Sequence, residues 1–160
     1  MKPATLRVQT ALSTLGLGGA VVELAAEART SQQAADALGV GVAQIAKSLV
    51  FTVDGAPVMV VASGVNRVDE RKLGKLAGGT VRRADALTVK RATGYTIGGV
   101  PPLAHDTALP IWVDEDLLRH DVIYAAAGVP ECVFPLTPDE LLRATGGTVA
   151  DVKERKGEKP

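Results

Sequence analysis

A single cysteine, Cys132, stands in the whole sequence, so no internal disulfide can form, and that usage fits a reducing compartment. Histidine is nearly as scarce. Only His105 and His120 occur, both distant in sequence from the cysteine, and no CxxC, HExxH or paired-His spacing is present. No metal site is expected from these residues. Aromatic residues make up 3% of the chain against 46% for all hydrophobic types, so the core must be built from Val, Leu, Ile and Ala. No run approaches the ~18 apolar residues of a membrane span. The first 19 residues have helically spaced apolar positions and no apolar block long enough for a secretory leader, so a soluble cytoplasmic protein is expected. Walker-type GxxxxGK[ST] loops and G-x-S-x-G nucleophile elbows are also missing.

Net charge is zero, so no global field draws in nucleic acid, but the charge is unevenly placed. Arg67 to Arg91 holds eight Lys/Arg against three Asp/Glu, while Asp106 to Glu140 holds one Arg against eight Asp/Glu. Two readings stand: a basic and an acidic flank with distinct partners, or two solvated faces.

The 160 residues suit one domain. Val8, Ala11, Leu12 and Leu15 have the spacing of an amphipathic helix ended by Gly16. "AVVEL" at 20–24 reads as a short strand. Thr30 and Gln33 form a capping box for a helix stopped by Gly39. Residues 48–63 are two apolar runs around Asp54-Gly55, a hairpin whose sheet should be covered on both faces. Asp69 and Asp85 cap two further helices, the second ending at Gly94. "LPIWV", "VIYAAA" and "CVFPL" read as strands, and Thr137-Pro138-Asp139-Glu140 starts a last helix that ends at Gly146-Gly147. Strands and helices mix without strict βαβ alternation. That predicts an α+β fold in one domain, with a charged flexible tail at 153–160.

Two features could carry chemistry. Lys47 lies where a helix should give way to a buried strand, in "QIAKSLVF". Its stem packs while its head reaches water, or it offers three donors to a phosphate or carbonyl oxygen. The second is "GYTIGGVPPLAH" at 94–105. Gly98-Gly99 removes two Cβ atoms and Pro101-Pro102 stiffens the exit, which makes either a wall of open amides for an oxyanion or a plain surface turn.

"AKSLVF" at 46–51, "KRATGYTIGGVPPL" at 90–103, "LPIWVD" at 109–114 and "AAAGVPECVFPLTPDELL" at 125–142 resemble the YbaK/prolyl-tRNA-synthetase-associated domain family. These are deacylases that edit mischarged aminoacyl-tRNA. The resemblance implies one compact domain over residues 1–152, with a mixed, curved central β-sheet flanked by helices, and a freestanding hydrolase acting in trans on the ester of a wrong amino acid. Cys, Ala or Ser on proline tRNA are the implied targets. The acceptor end of aminoacyl-tRNA is the implied partner, with an aminoacyl-tRNA synthetase as a second one. No cofactor is implied. Lys47, Gly98 and Gly99 take the catalytic positions, and Arg91, Tyr95, Pro101 and Gly128 the substrate-binding ones. Water is the attacking group, helped by the substrate itself. This chain departs from the family pattern at Pro101-Pro102, at Ala104, where a Gly is usual, and at "AAEART", which replaces a segment with Pro and a Ser/Thr pair. The alternative is a non-catalytic module of the same fold that holds a small carboxylate or a nucleotide.

Overall fold

The computed structural model describes residues 1–17 and 19–155. Helix α1 spans Pro3–Thr14, and a short strand β1, Val22–Glu23, follows. Helix α2, Ser31–Leu38, begins at the expected capping box. Thr30 Oγ1 accepts from the Gln33 amide, and Gly39 closes the helix at φ 71°. The hairpin forms as expected, with β2 over Ile45–Val53 and β3 over Ala56–Ser63. Then come α3 (Glu70–Ala77), β4 (Val81–Arg83), α4 (Ala86–Thr93), β5 (Ile111–Asp114), β6 (Ile123–Ala126), β7 (Cys132–Leu136), α5 (Pro138–Thr145) and β8 (Thr148–Ala150). Asp69 and Asp85 cap α3 and α4, and Thr137 with Glu140 caps α5.

The eight strands form one mixed sheet in the order β1-β7-β6-β2-β3-β5-β8, with β4 also paired to β2. The pairs β6/β2, β3/β5 and β5/β8 are parallel, and the others are antiparallel. The unbroken apolar run of β3 follows from its central place. Met59 and Val61 pack into a core with Val8, Leu12, Tyr95, Phe134 and Leu141, while Val58, Val60 and Ala62 face a second core with Phe51, Leu73 and Val152. Both faces are covered, so alternation disappears. Cys132 is buried in the first core. No helix among the described residues is long and apolar enough to cross a membrane.

Two short strands, β4 and β8, have no counterpart in the sequence reading. Their three residues each carry too little apolar pattern to register, and pairing to β2 and β5 defines them. Two corrections concern boundaries. No helix precedes Lys47: a single 3-10 turn, Val42–Gln44, leads into β2, and Lys47 is the third residue of that strand. Nor does the charged tail begin at Lys153. That residue bridges to Val68, its Nζ lies 2.6 Å from Asp116 Oδ2, and the Glu154 amide donates to Arg67 O. The remainder of the tail, 156–160, lies outside the described residues.

Candidate functional site

The site is a gap in strand pairing. Along one edge β2 is paired to β3 throughout, from Ala46↔Ser63 to Val53↔Ala56. Its other edge is shared. Strand β6 covers only Ile45 and Ala46, and β4 covers Phe51 to Val53. Between them Lys47–Val50 has no strand beside it, and a cleft of about 450 Å³ opens there. Every residue from Ile45 to Phe51 lines it, as an open strand edge allows. Facing this edge are Arg29 and Thr30 before α2 with its first residue Ser31, Arg83 at the end of β4 with Ala84 after it, Val89 of α4, and the turn residues Ile97, Gly98 and Val100.

The charged residues lining the cleft are Arg29, Lys47 and Arg83, and no carboxylate or histidine is among them. An anion is therefore the fitting occupant of its mouth. Burial lowers the Lys47 pKa; Asp114 opposes that effect and Arg83 adds to it. Among the described residues Lys47 forms no ion pair within 4.0 Å, unlike Lys72 and Lys153. Its charge is thus held partly out of water with no internal partner, a costly arrangement that a ligand oxygen would relieve.

The glycine turn forms the opposite wall. Gly98 is exposed at φ 93°, with only Pro130 Cγ near the space a Cβ would fill, at 3.4 Å. Gly99 lies behind it. Its amide donates to Thr96 O at 3.0 Å, and a Cβ there would stand 2.7 Å from Gly128 O.

A family model described as "Aminoacyl-tRNA editing domain" matches residues 25–144 of this chain. The chain belongs to the aminoacyl-tRNA editing domain family. The uncharacterized protein YwhH of Bacillus subtilis is 36% identical over 124 residues, spanning 76% of this chain and 78% of that one. The Enterococcus faecalis protein EbsC, provisionally named a Cys-tRNA(Pro)/Cys-tRNA(Cys) deacylase, is 28% identical over 131 residues, 79% of each chain. A solved structure, provisionally described as a trans-editing enzyme for prolyl tRNA synthetase, shares 47% identity at a TM-score of 0.93, covering 97% of this chain and 99% of that one.

Of the residues chosen from the sequence, this editing domain brings only Lys47 and Gly98 together in the cleft. Gly99 sits in the second layer, its amide already used, so the expected pair of open glycine amides is reduced to one. Tyr95 is 2% exposed and belongs to the core, where Arg7 lies 5.3 Å from its ring centroid. Its hydroxyl donates to Ala104 O at 3.0 Å and so steadies Ala104 at φ 65°, a conformation an L-residue adopts at some cost. Gly128 is buried against Ala4 of α1 and has φ 92°. Pro101 is buried too, and its carbonyl accepts from His105 Nε2 at 2.7 Å. Burial keeps His105 below the usual histidine range. Arg91 is exposed in the last turn of α4 and does not line the cleft. Tyr95, Pro101, Gly128 and Gly99 thus lie behind the wall and are not among the residues that line the cleft.

The sequence reading missed Arg29, Thr30, Ser31, Ser48 and Arg83 as lining residues. Thr30 was legible as a cap, Ser48 as the neighbour of Lys47, and Arg83 as part of the basic stretch. Their convergence depends on how β2, β4 and β6 pair.

Proposed function

We propose that this editing domain hydrolyses the ester of a mischarged aminoacyl-tRNA. The observation that carries the reading is Lys47, half-buried and unpaired, in a cleft whose charged lining residues are all cationic. Such a mouth suits the phosphates of a tRNA acceptor end, and the apolar interior beyond it suits an amino-acid side chain. A water oxygen attacks the ester carbonyl carbon, and negative charge gathers on the carbonyl oxygen. Lys47 and the Gly98 amide are the donors for that charge, a type of contribution worth ~10²–10³ in rate. The bond to the ribose oxygen then breaks. Free amino acid leaves, and the ribose oxygen takes up a proton. No side chain lining the cleft is a general base at neutral pH, so the water's proton is handed to a group of the substrate itself.

The names of its relatives support proline tRNA as the carrier and cysteine as one target; alanine and serine are the further targets that the family resemblance implies. They also support action in trans, alongside a prolyl-tRNA synthetase. A panel of tRNAs charged with labelled Cys, Ala, Ser and Pro tests this reading. Release of one or more non-cognate amino acids, with Pro-tRNA(Pro) spared, is the expected result. Binding of charged tRNA with no release from any member would instead identify a non-catalytic module.

A further inference from the structure

Hydrogen-bond alternation along β2 identifies which backbone groups face the gap. In an antiparallel pair, successive residues point their N–H and C=O to opposite sides. The Gly64 amide donates to Ile45 O at 2.7 Å, so the odd-numbered residues of β2 face β3. The even-numbered ones face the other way. Ala46 meets β6, Val50 O accepts from the Ala84 amide at 3.3 Å, and the Asp54 amide donates to Thr80 O at 3.0 Å. Ser48 stands between these partners. Its N–H and C=O point into the cleft, and no strand lies opposite them. Its hydroxyl oxygen is buried and likewise has no partner among the described residues. Buried polar groups are almost always paired, so the unpartnered buried hydroxyl of Ser48, beside an N–H and C=O that no strand covers, indicates a ligand.

We propose that Ser48 receives the aminoacyl group as a one-residue strand. The Ser48 N–H donates to the ester carbonyl oxygen, and the Ser48 C=O accepts from the α-ammonium group. An aminoacyl ester carries this acceptor and donor on either side of one α-carbon, as a strand residue does. The unpaired stretch is too short for a peptide strand, at about 10 Å for the three steps of ~3.3 Å from Lys47 to Val50, but sufficient for one amino acid. The same N–H is an oxyanion donor when the carbonyl becomes tetrahedral, replacing the Gly99 amide that the turn consumes.

Side chains of directly opposed strand residues lie on the same face of a sheet. The substrate's side chain then falls on the face of Ala46 and Val50, beside Val89 and Val100. That chamber takes small, uncharged side chains of L-configuration. A D-aminoacyl group held by the same two bonds turns its side chain toward the face of Lys47 and Leu49.

This inference rests on the editing reading, and its test separates the two. Ser48 is replaced by its α-hydroxy-acid counterpart through nonsense suppression, which exchanges the N–H for an ester oxygen and retains the side chain. The expected result is a kcat lower by ~10²–10³, little change in KM for tRNA, and a melting temperature near that of wild type. The same exchange at Val60, whose amide lies within the β2–β3 ladder, lowers the melting temperature instead. A Ser48 ester protein that deacylates at the wild-type rate, or that melts as early as the Val60 one, overturns the proposal and leaves the editing activity standing. Wild-type protein that deacylates no charged tRNA overturns the editing reading, and this inference with it.

Discussion

Lys47 concentrates the conflict between folding and function in one side chain. Burial disfavours its charged form, Arg83 adds to that, and Asp114 compensates in part. Its pKa in the folded protein is therefore lower than in the unfolded chain. Between those two values the unfolded chain binds more protons, so stability rises with pH across that window, and below it the charged lysine weakens the fold. Lys47→Met retains the stem and removes the charge. At neutral pH its melting temperature should equal or exceed that of wild type, and the difference should shrink as pH climbs toward the ordinary lysine range. Deacylation should fall by at least the ~10² expected for losing a charge-stabilising donor. Melting curves across pH, beside rates on a verified mischarged tRNA, check both halves. A stable Lys47→Met protein that turns over normally would remove Lys47 from the mechanism, and a destabilised one would show that the lysine serves packing.

At the scale of elements, the glycine turn and the split edge of β2 form the two walls of the cleft, and they differ in how they are specified. Gly98 and Gly99 are adjacent yet constrained for different reasons. A side chain at Gly98 meets only the Pro130 ring, at contact distance, but must adopt φ 93°, which costs about 1–2 kcal/mol for an L-residue. A side chain at Gly99 needs no unusual φ, but its Cβ would press on Gly128 O and Val129 Cα at 2.7 Å, both backbone atoms that cannot rotate away. Overpacking of that kind costs about 1–3 kcal/mol and shifts the wall itself. Gly98→Ala should thus fold, with KM altered because the new methyl group narrows the cleft. Gly99→Val should melt earlier than Gly98→Ala and lose kcat as the turn moves. Equal melting temperatures, or a fully active Gly99→Val, would contradict this division. The turn was legible in the sequence because glycine and proline act locally, as did the capping boxes at Thr30 and Thr137 and the Asp54-Gly55 hairpin. The gap beside Ser48 was not, because it exists only where β4 stops and β6 has not begun, and no local pattern encodes that pairing. Tyr95 misled for a related reason: an aromatic ring in a glycine-rich loop looks available to a ligand until the fold turns it under Arg7 and into the core.

Over the whole molecule the net charge is zero, so attraction for a polyanion must come from where the cations lie. The basic stretch from Arg67 to Arg91 delivers only one of its eight Lys/Arg residues to the cleft. Arg82 and Arg83 are neighbours on β4 and point to opposite faces of the sheet. Arg83 lines the cleft, where Arg29 and Lys47 are the other cations, whereas Arg82 is exposed and outside it. If these three cations meet the phosphates of the acceptor end, log affinity should fall with log salt at a slope of about −0.7 per phosphate contacted, the single-strand value. Arg83→Glu should raise the KM for charged tRNA clearly more than Arg82→Glu, and should flatten the salt dependence by about one phosphate's worth. A minimal aminoacyl ester without tRNA should show neither effect, because it reaches the apolar interior without crossing the cationic mouth. KM measured for both substrates between low and physiological salt decides the matter. Equal effects of the two charge reversals would make the basic stretch a solvated face. An identical salt response for the minimal ester would place the electrostatic effect at the chemical step, not at tRNA capture.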